Sequence, residues 1–166
     1  MSFVNKIKKI FYKLLKRENV YSFILITIIF FLDRVSKIKI INKLNENTIF
    51  VNDYINLDLV WNIGIGFGLL STESDLMYNI ITLIILIVIF TLSYILITSD
   101  GLEKFIYSVI IGGALGNFYD RLIYKAVPDF LDIHYNNIHW FIFNVADIFI
   151  TMGIIALLFN NYFKNN

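Results

Sequence analysis

The fold is decided by residues 141–163, which read FIFNVADIFITMGIIALLFNNYF. This apolar run is long enough to cross a bilayer, which takes about 20 residues as a helix. Asp147 lies inside the run, and a carboxylate at that depth costs several kcal/mol unless it has a partner. Asp33, Asp120 and Asp129 also lie within or beside apolar segments. We therefore predict a membrane protein whose carboxylates serve chemistry or ion movement rather than passive anchoring.

The composition supports a membrane protein and excludes several other classes. Hydrophobic residues make up 58% of the chain and the mean hydropathy is +0.70, whereas soluble domains are about 45–50% apolar. The chain has no Cys, which excludes disulfides, thiol nucleophiles and Cys-ligated metals. No basic patch is interleaved with soluble structure, so no nucleic-acid partner is expected.

Four apolar segments have the length of a membrane span: 20–41, 76–98, 103–123 and 141–163. We predict an all-α membrane fold, a four-transmembrane-helix bundle with a small outer β-element and an amphipathic N-terminal helix. Residues 20–166 would form the four-span domain. Residues 1–19 would form a basic amphipathic surface helix, because six of the 14 Lys and Arg residues fall within 1–17, between apolar residues at helical spacing.

The distribution of basic residues also predicts the topology. Lys and Arg concentrate near the N-terminus, at Lys104 and at Lys164, and the positive-inside rule places those regions in the cytoplasm. Residues 42–75 and 124–140 then face outward. In the first of these loops, apolar and polar residues alternate over 55–62, which is typical of a half-buried strand. Asn52 and Asp53 before it indicate a turn.

Polar residues recur at helical spacing in three of the predicted spans. The three sets are Asp33, Ser36 and Lys37; Asn117, Asp120 and Arg121; and Asn144, Asp147 and Thr151. Residues at these spacings share one helix face, and at about 1.5 Å of rise per residue the carboxylates reach one layer in the outer half of the membrane. Two of the pairs, Asp33 with Lys37 and Asp120 with Arg121, also fit a purely structural role.

Two further features have weaker functional signals. The glycines at 64, 66 and 68 and at 112, 113 and 116 are typical of close packing, and neither group matches a phosphate-binding loop. Asp132, His134 and His139 contain metal-ligating atoms, but a five-residue spacing of the two histidines in a loop without Cys does not favour a metal site. No metal ligands are therefore predicted.

Five motifs of this chain resemble those of lipoprotein signal peptidases, also called signal peptidase II. Residues 33–37 match DxxSK, 62–68 match NxGxxFG, 112–121 match GGxxGNxxDR, 127–130 match VxDF and 143–147 match FNxAD. Each motif alone would be weak. All five occur in the family's order on a chain of the family's length, which makes the resemblance specific.

The resemblance implies an intramembrane aspartyl endopeptidase without a metal or other cofactor. Its substrates would be bacterial prolipoproteins, cut just before the diacylglyceryl-modified cysteine, and its catalytic pair would be Asp129 and Asp147. It would act as a monomer among the lipids of the bacterial cytoplasmic (inner) membrane, with the active site toward the periplasmic face. The supporting and substrate-binding residues would be Asp33, Lys37, Asn62, Gly64, Asn117, Asp120, Arg121 and Asn144.

Two other classes of function use some of the same sequence features. A small ion-coupled transporter also uses intramembrane Asp and Asn, but its polar residues would cover the full membrane depth or follow inverted repeats. The polar residues here cluster in the outer half. A noncatalytic membrane scaffold would have little need for Asp147 inside its last span.

Overall fold

The computed structural model describes residues 16–44, 48–64, 75–136 and 138–165, which form four helices and one sheet. The helices are α1 (Arg17–Leu44), α2 (Asp75–Thr98), α3 (Gly101–Tyr124) and α4 (Val145–Asn165). The strands are β1 (Ile49–Asn52), β2 (Ile55–Asn62), β3 (Val127–Tyr135) and β4 (Ile138–Phe143). The predicted basic helix at 1–19 lies outside the described residues up to residue 15, and α1 begins at Arg17.

The sheet is antiparallel, in the order β1-β2-β3-β4, and it joins the two loops that were predicted to face outward. Its strand β2 coincides with the alternating segment at 55–62, so that prediction is confirmed. The predicted turn before β2 is confirmed as well. The Asn52 side-chain oxygen accepts hydrogen bonds from the backbone N–H groups of Tyr54 and Ile55, each at 2.9 Å.

The second outer loop is more ordered than the sequence indicated. It forms β3 and β4, for which no strand was predicted. The prediction of a helix through 141–144 is wrong, because Phe141 and Phe143 pair with Ile133 and Leu131 of β3. Aromatic and β-branched residues fit a sheet as well as a membrane span, and the pairing with β3 decides between them.

Helix α3 packs against all three other helices. Its glycines allow the close approach: a Cβ on Gly112 would meet the Cβ of Ile29 in α1 at 2.8 Å, and one on Gly113 would meet the Ala146 carbonyl oxygen in α4 at 2.6 Å. A Cβ on Gly116 would contact the Asp33 carboxylate. The packing role predicted for these glycines agrees with these contacts, which hold α1, α3 and α4 close enough for direct hydrogen bonds.

Two of the described helices, α2 and α4, are long and apolar enough to cross a membrane. Four spans were predicted, and by length and composition two of the described helices qualify as candidate spans. The α2 window has a mean hydropathy of 3.0, yet only 17% of it is buried. Leu83, Ile87 and Phe90 are among its exposed side chains. Such a continuous apolar surface is typical of contact with lipid rather than water.

Candidate active site

A buried charge network joins α1 to α3. Lys37 donates hydrogen bonds to Asp33 Oδ2 at 2.8 Å, to Asn117 Oδ1 at 2.8 Å and to Asp120 Oδ2 at 2.7 Å. These three bonds use all three donors of the ammonium group. Arg34 forms a further ion pair with Asp120. Two cations therefore balance two carboxylates inside the helix bundle.

The prediction that Asp120 pairs with Arg121 is wrong, because Arg34 and Lys37 hold Asp120 instead. Neighbouring residues of a helix point about 100° apart, so adjacent side chains diverge. Arg121 turns toward the residues after β2, where its Nη2 donates to the Gly64 carbonyl oxygen at 2.5 Å. This contact ties α3 to the segment that follows β2.

Asp33 extends this network from α1 to the start of α4. Its Oδ1 accepts a hydrogen bond from the Ala146 backbone N–H at 3.0 Å, while its Oδ2 accepts from Lys37. The Ala146 N–H belongs to the first turn of α4, where the backbone has no acceptor within the helix. Asp33 therefore fixes the end of α4 that carries Asp147.

Asn144 and Asp147 cap α4 reciprocally. The Asp147 backbone N–H donates to Asn144 Oδ1 at 3.1 Å, and the Asn144 backbone N–H donates to Asp147 Oδ2 at 3.1 Å. This is a capping box, with Asn144 immediately before the helix and Asp147 at its third position. Asn144 was predicted to lie on the same helix face as Asp147, but it precedes the helix. Asp147 is accordingly in the first turn of α4, close to the sheet.

Asp129 on β3 is almost fully buried, with 2% of its surface exposed. Its Oδ2 accepts a hydrogen bond from Asn62 Nδ2 at 2.8 Å, and its Oδ1 accepts from Asn144 Nδ2 at 2.6 Å. Asn62 is held in turn by the backbone N–H of Gly64, which donates to Asn62 Oδ1 at 2.8 Å. Strand β2, strand β3 and the start of α4 thus position this carboxyl together.

The environment of Asp129 favours its protonated form. Burial raises the pKa of the Asp129 carboxyl from 3.8 to about 6, and the nearby Asp147 carboxylate also raises this pKa. Hydrogen bonds from Asn62 and Asn144 oppose the rise, because they stabilise the ionised form. A carboxyl with such a pKa exchanges its proton near neutral pH.

Asn117 connects the charge network to Asp147. Its Nδ2 donates to Asp147 Oδ1 at 2.8 Å, while its Oδ1 accepts from Lys37. Since Asn144 also contacts both Asp129 and Asp147, two asparagines hold the two carboxyls in one hydrogen-bonded set. The structure brings together all the residues that the sequence singled out for the site. They are Asp33, Lys37, Asn62, Gly64, Asn117, Asp120, Arg121, Asp129, Asn144 and Asp147.

Sequence reasoning missed the part played by Arg34. No role was predicted for this residue, which is one of the charges in the second half of the first predicted span, yet it is buried and pairs with Asp120. A signal was available, because an arginine inside an apolar helix needs a counter-ion. Its cation also lies over the Tyr119 ring, 4.8 Å from the centroid.

The class that this fold and site define is a helical membrane enzyme, and solved structures support it. A bacterial membrane enzyme determined by the in meso method at 2.3 Å resolution matches with a TM-score of 0.74 and 27% identity, over 88% of this chain and 90% of that one. A second, at 1.9 Å resolution, matches with a TM-score of 0.67 and 26% identity, over 84% of this chain and 91% of that one.

The chain belongs to the signal peptidase II family. The family model described as "Signal peptidase (SPase) II" matches residues 25–163. A lipoprotein signal peptidase of Pelagibacter ubique (strain HTCC1062) is 41% identical over 90% of this chain and 92% of its own length. Another, of Anaplasma phagocytophilum (strain HZ), is 37% identical over 86% of this chain and 92% of its own. The resemblance noted in the sequence is thereby confirmed, and the protein is a membrane protease.

Proposed function

We propose that this protein is an intramembrane aspartyl endopeptidase that removes signal peptides from bacterial prolipoproteins. It cuts before the diacylglyceryl-modified cysteine, and its catalytic pair is Asp129 and Asp147. The observation that carries this proposal is the position of Asn144. Its side chain donates to Asp129 and its backbone N–H donates to Asp147, so one residue positions both carboxyls relative to each other.

The pair performs acid–base catalysis on a water molecule. The ionised carboxyl takes a proton from water, and the oxygen of that water bonds to the scissile carbonyl carbon. The protonated carboxyl gives its proton to the carbonyl oxygen as the carbon becomes tetrahedral. Collapse of this intermediate breaks the C–N bond: the carboxyl that took the proton from water gives it to the departing amine, and the other carboxyl takes a proton back from a hydroxyl of the intermediate. The shared proton belongs to the pair rather than to one residue, because the two groups titrate together.

The donors around the pair suit carboxyls and water. Asn62 and Asn144 donate to Asp129, and Asn117 and the Asn144 backbone donate to Asp147. N–H groups that point at a carboxylate stabilise its negative charge without a cation. They also occupy directions from which a metal ion would bind. We therefore propose a reaction that needs no metal at Asp129 and Asp147.

An apolar groove beside Asp147 offers a place for the lipid of the substrate. The groove has a volume of about 260 Å³ and is lined by Phe143, Ile148, Thr151 and Met152 as well as Asp147. Ile148 and Met152 are exposed on the surface of α4, so an acyl chain can enter from the membrane. A lipid held there would place the peptide bond before the modified cysteine next to the carboxyls.

Removing the lipid from the substrate tests this function. A prolipoprotein without its diacylglyceryl group is expected to be cut about 100-fold more slowly than the matched lipidated precursor. The lipid both holds the substrate on the enzyme and positions the scissile bond. The measurement is kcat/KM for both precursors with purified enzyme in detergent. Asp147→Asn serves as the control for contaminating proteases. Equal rates on the two precursors would refute the lipoprotein assignment.

We further propose that all four helices cross the membrane. At about 1.5 Å per residue, the 28 residues of α1 and the 24 of α3 exceed the ~30 Å hydrocarbon core. Asp33, Arg34 and Lys37 of α1 and Asp120 of α3 are buried and paired with one another, whereas Lys39 and Lys43 are exposed in the last turns of α1. Much of the remaining exposed surface of the two helices is apolar. Exposed residues include Phe23, Phe31 and Leu32 on α1 and Phe105, Leu122 and Ile123 on α3. A test based on composition alone misses spans of this kind, because it counts every charged residue of the helix, including those that are buried in the bundle and never contact lipid.

Cysteine labelling tests the orientation, with both termini cytoplasmic and the sheet on the periplasmic face of the inner membrane. Asp53→Cys in the β1–β2 turn is expected to react with a membrane-impermeant maleimide in intact spheroplasts. Asp100→Cys, between α2 and α3, is expected to react only after permeabilisation. The Asp100 side chain makes no capping hydrogen bond, so this substitution should not disturb α3. The wild-type chain has no Cys and gives the blank. Labelling of Asp100→Cys from outside would invert the topology.

The pH dependence of cleavage is expected to be bell-shaped. At low pH both carboxyls are protonated and no base remains, whereas at high pH both are ionised and no proton remains to be donated. Because the pKa of Asp129 is raised from 3.8 to about 6, the pair keeps its shared proton to a higher pH than a free Asp would. The alkaline limb should therefore have its midpoint at about pH 6 or above.

This profile is measured as kcat/KM of the lipidated precursor at constant temperature, with and without a chelator. The chelator should leave the profile unchanged at temperatures well below unfolding. A rate that keeps rising through the alkaline range, or activity that disappears with the chelator and returns with metal, would contradict a pair acting alone.

A further inference from the structure

A second polar cluster lies on β3, apart from the catalytic pair. One ligand atom each from Asp132, His134 and His139 lie within 4.8 Å of one another. Side chains alternate along a strand, so Asp132 and His134 point to one face of β3 and Asp129 points to the other. His134 pairs with His139 of β4 in the sheet register, and residues directly opposite share a face. The cluster is therefore on the far side of the sheet from Asp129.

The sheet itself explains why the sequence spacing did not indicate this cluster. The turn after Tyr135 folds β4 back along β3, so two histidines five positions apart become cross-strand neighbours. Their rings stack with centroids 5.3 Å apart and 22° between planes. The His139 Nδ1 lies 2.7 Å from Asp132 Oδ2, and the His134 Nδ1 lies 4.0 Å from the same oxygen.

Several atoms of the cluster are buried without a hydrogen-bond partner among the described residues. They are Asp132 Oδ1, His134 Nδ1 and Asn56 Oδ1. Asn56 is the cross-strand partner of Asp132 on β2, so its side chain lies on the same face. A buried polar atom without a partner destabilises the fold, so a ligand that satisfies all three atoms at once would be bound favourably. An Asp132–His139 ion pair accounts for one contact and leaves all three of these atoms unsatisfied.

We propose that this face of the sheet binds one divalent transition-metal ion, with Asp132, His134 and His139 as ligands. Two imidazoles and a carboxylate form a donor set that suits Zn²⁺. Bonds of about 2.0–2.2 Å to a common ion bring ligand atoms within about 4 Å of one another, so the cluster needs only a small contraction. The Asn56 amide oxygen, or water, completes the coordination.

The position of the site indicates a structural role. Its ligands come from β3 and β4, and Asn56 comes from β2, so the ion would fasten three strands of the sheet. Asp132 and His134 are buried, while the His139 side chain is 56% exposed and gives the ion a path from solvent. The ion would hold the sheet that carries Asp129 without touching the reacting groups.

The two histidines make a direct test possible, because they are the only ones in the chain and both belong to the cluster. Histidine-labelled protein, purified in detergent without a polyhistidine tag, is titrated with Zn²⁺ at pH 7.5 and followed by NMR. The imidazole signals of His134 and His139 are expected to shift together and to saturate at one Zn²⁺ per chain. The absence of Cys removes competition from thiols.

Two variants and a control decide the outcome. His139→Gln changes a half-exposed ligand, and it should weaken the effect of Zn²⁺ on the His134 signal at least about tenfold. Asp132→Asn should weaken the shifts of both histidines, and it serves as the second variant if His139→Gln fails to fold. Asp53→Asn, which removes an exposed carboxylate from the β1–β2 turn, should bind Zn²⁺ as wild type does. Shifts at His139 alone, or shifts that persist in Asp132→Asn, would overturn the proposed site.

Discussion

Replacing Asp147 with Asn is expected to reduce cleavage of a lipidated prolipoprotein by at least about 10³-fold, and Asp129→Asn should do the same. Each change removes one ionisable group and keeps nearly the same shape. In Asp147→Asn the side chain still has one oxygen to accept a hydrogen bond from Asn117 or from the Asn144 backbone. Loss of the other bond costs about 1 kcal/mol, so the variant should insert and fold.

The measurement is single-turnover cleavage by purified protein whose unfolding midpoint has been determined. Asp53→Asn is the matched control, since it makes the same chemical change at an exposed position of the β1–β2 turn. It should keep the wild-type rate. A folded Asp129 or Asp147 variant that retains more than about a tenth of that rate would exclude the aspartyl mechanism.

Replacing Lys37 with Met is expected to cause the largest loss of stability, about 3–5 kcal/mol. Lys37 is fully buried and contacts Asp33, Asn117 and Asp120. Without its ammonium group, the two carboxylates face one remaining cation, Arg34, and one negative charge is left uncompensated in the bundle. Methionine fills a similar volume, so the effect reports the charge rather than a cavity.

Unfolding in mixed micelles with increasing denaturing detergent measures this change in free energy. Lys39→Met is the control, because Lys39 lies two residues away on the same helix and is exposed. It should change stability by no more than about 0.5 kcal/mol. Similar losses in the two variants would show that the network around Lys37 does not stabilise the fold.

The positions of the helices could be predicted from the sequence because each is a long apolar run between polar turns. The shared helix faces of the α3 glycines and of the polar residues around the carboxylates at 33, 120 and 147 could also be predicted, since spacing on one helix is a local property. Helix α2 illustrates this best. It carries no site residue, and the predicted span at 76–98 differs from the observed Asp75–Thr98 by one residue.

The pairing of strands could not be predicted in the same way. Residues 141–143 are aromatic and aliphatic, so they extend the apolar run of α4 and resemble the start of a span. Their position on β4 depends on pairing with β3. The sequence of β3 was itself interpreted as a loop, because its near neighbours in the chain give no clear strand signal. The correct start of α4 follows from Asn144, whose capping preference is a local signal that the hydrophobic run obscured.

The partners within the site depend on contacts that sequence spacing does not describe. Asp120 lies next to Arg121 in the chain, but α1 supplies its counter-ions across the bundle. Asn62 and Asn144 meet at Asp129 only because β2 and β3 pair and α4 begins beside them. The members of the candidate site could therefore be predicted from motifs, whereas the contacts among them required the fold.

The ion pairs between α1 and α3 have a consequence for biosynthesis. Arg34 and its partner Asp120 are 86 residues apart in the chain. At about 5–20 residues per second, a ribosome needs roughly 4–17 s to add that length. In the proposed four-span arrangement, α1 thus enters the bilayer before its counter-ion exists. Asp33 and Lys37 can neutralise each other at once, being four residues apart on one helix. Arg34 has no such neighbour and must reach toward the lipid headgroups until α3 arrives.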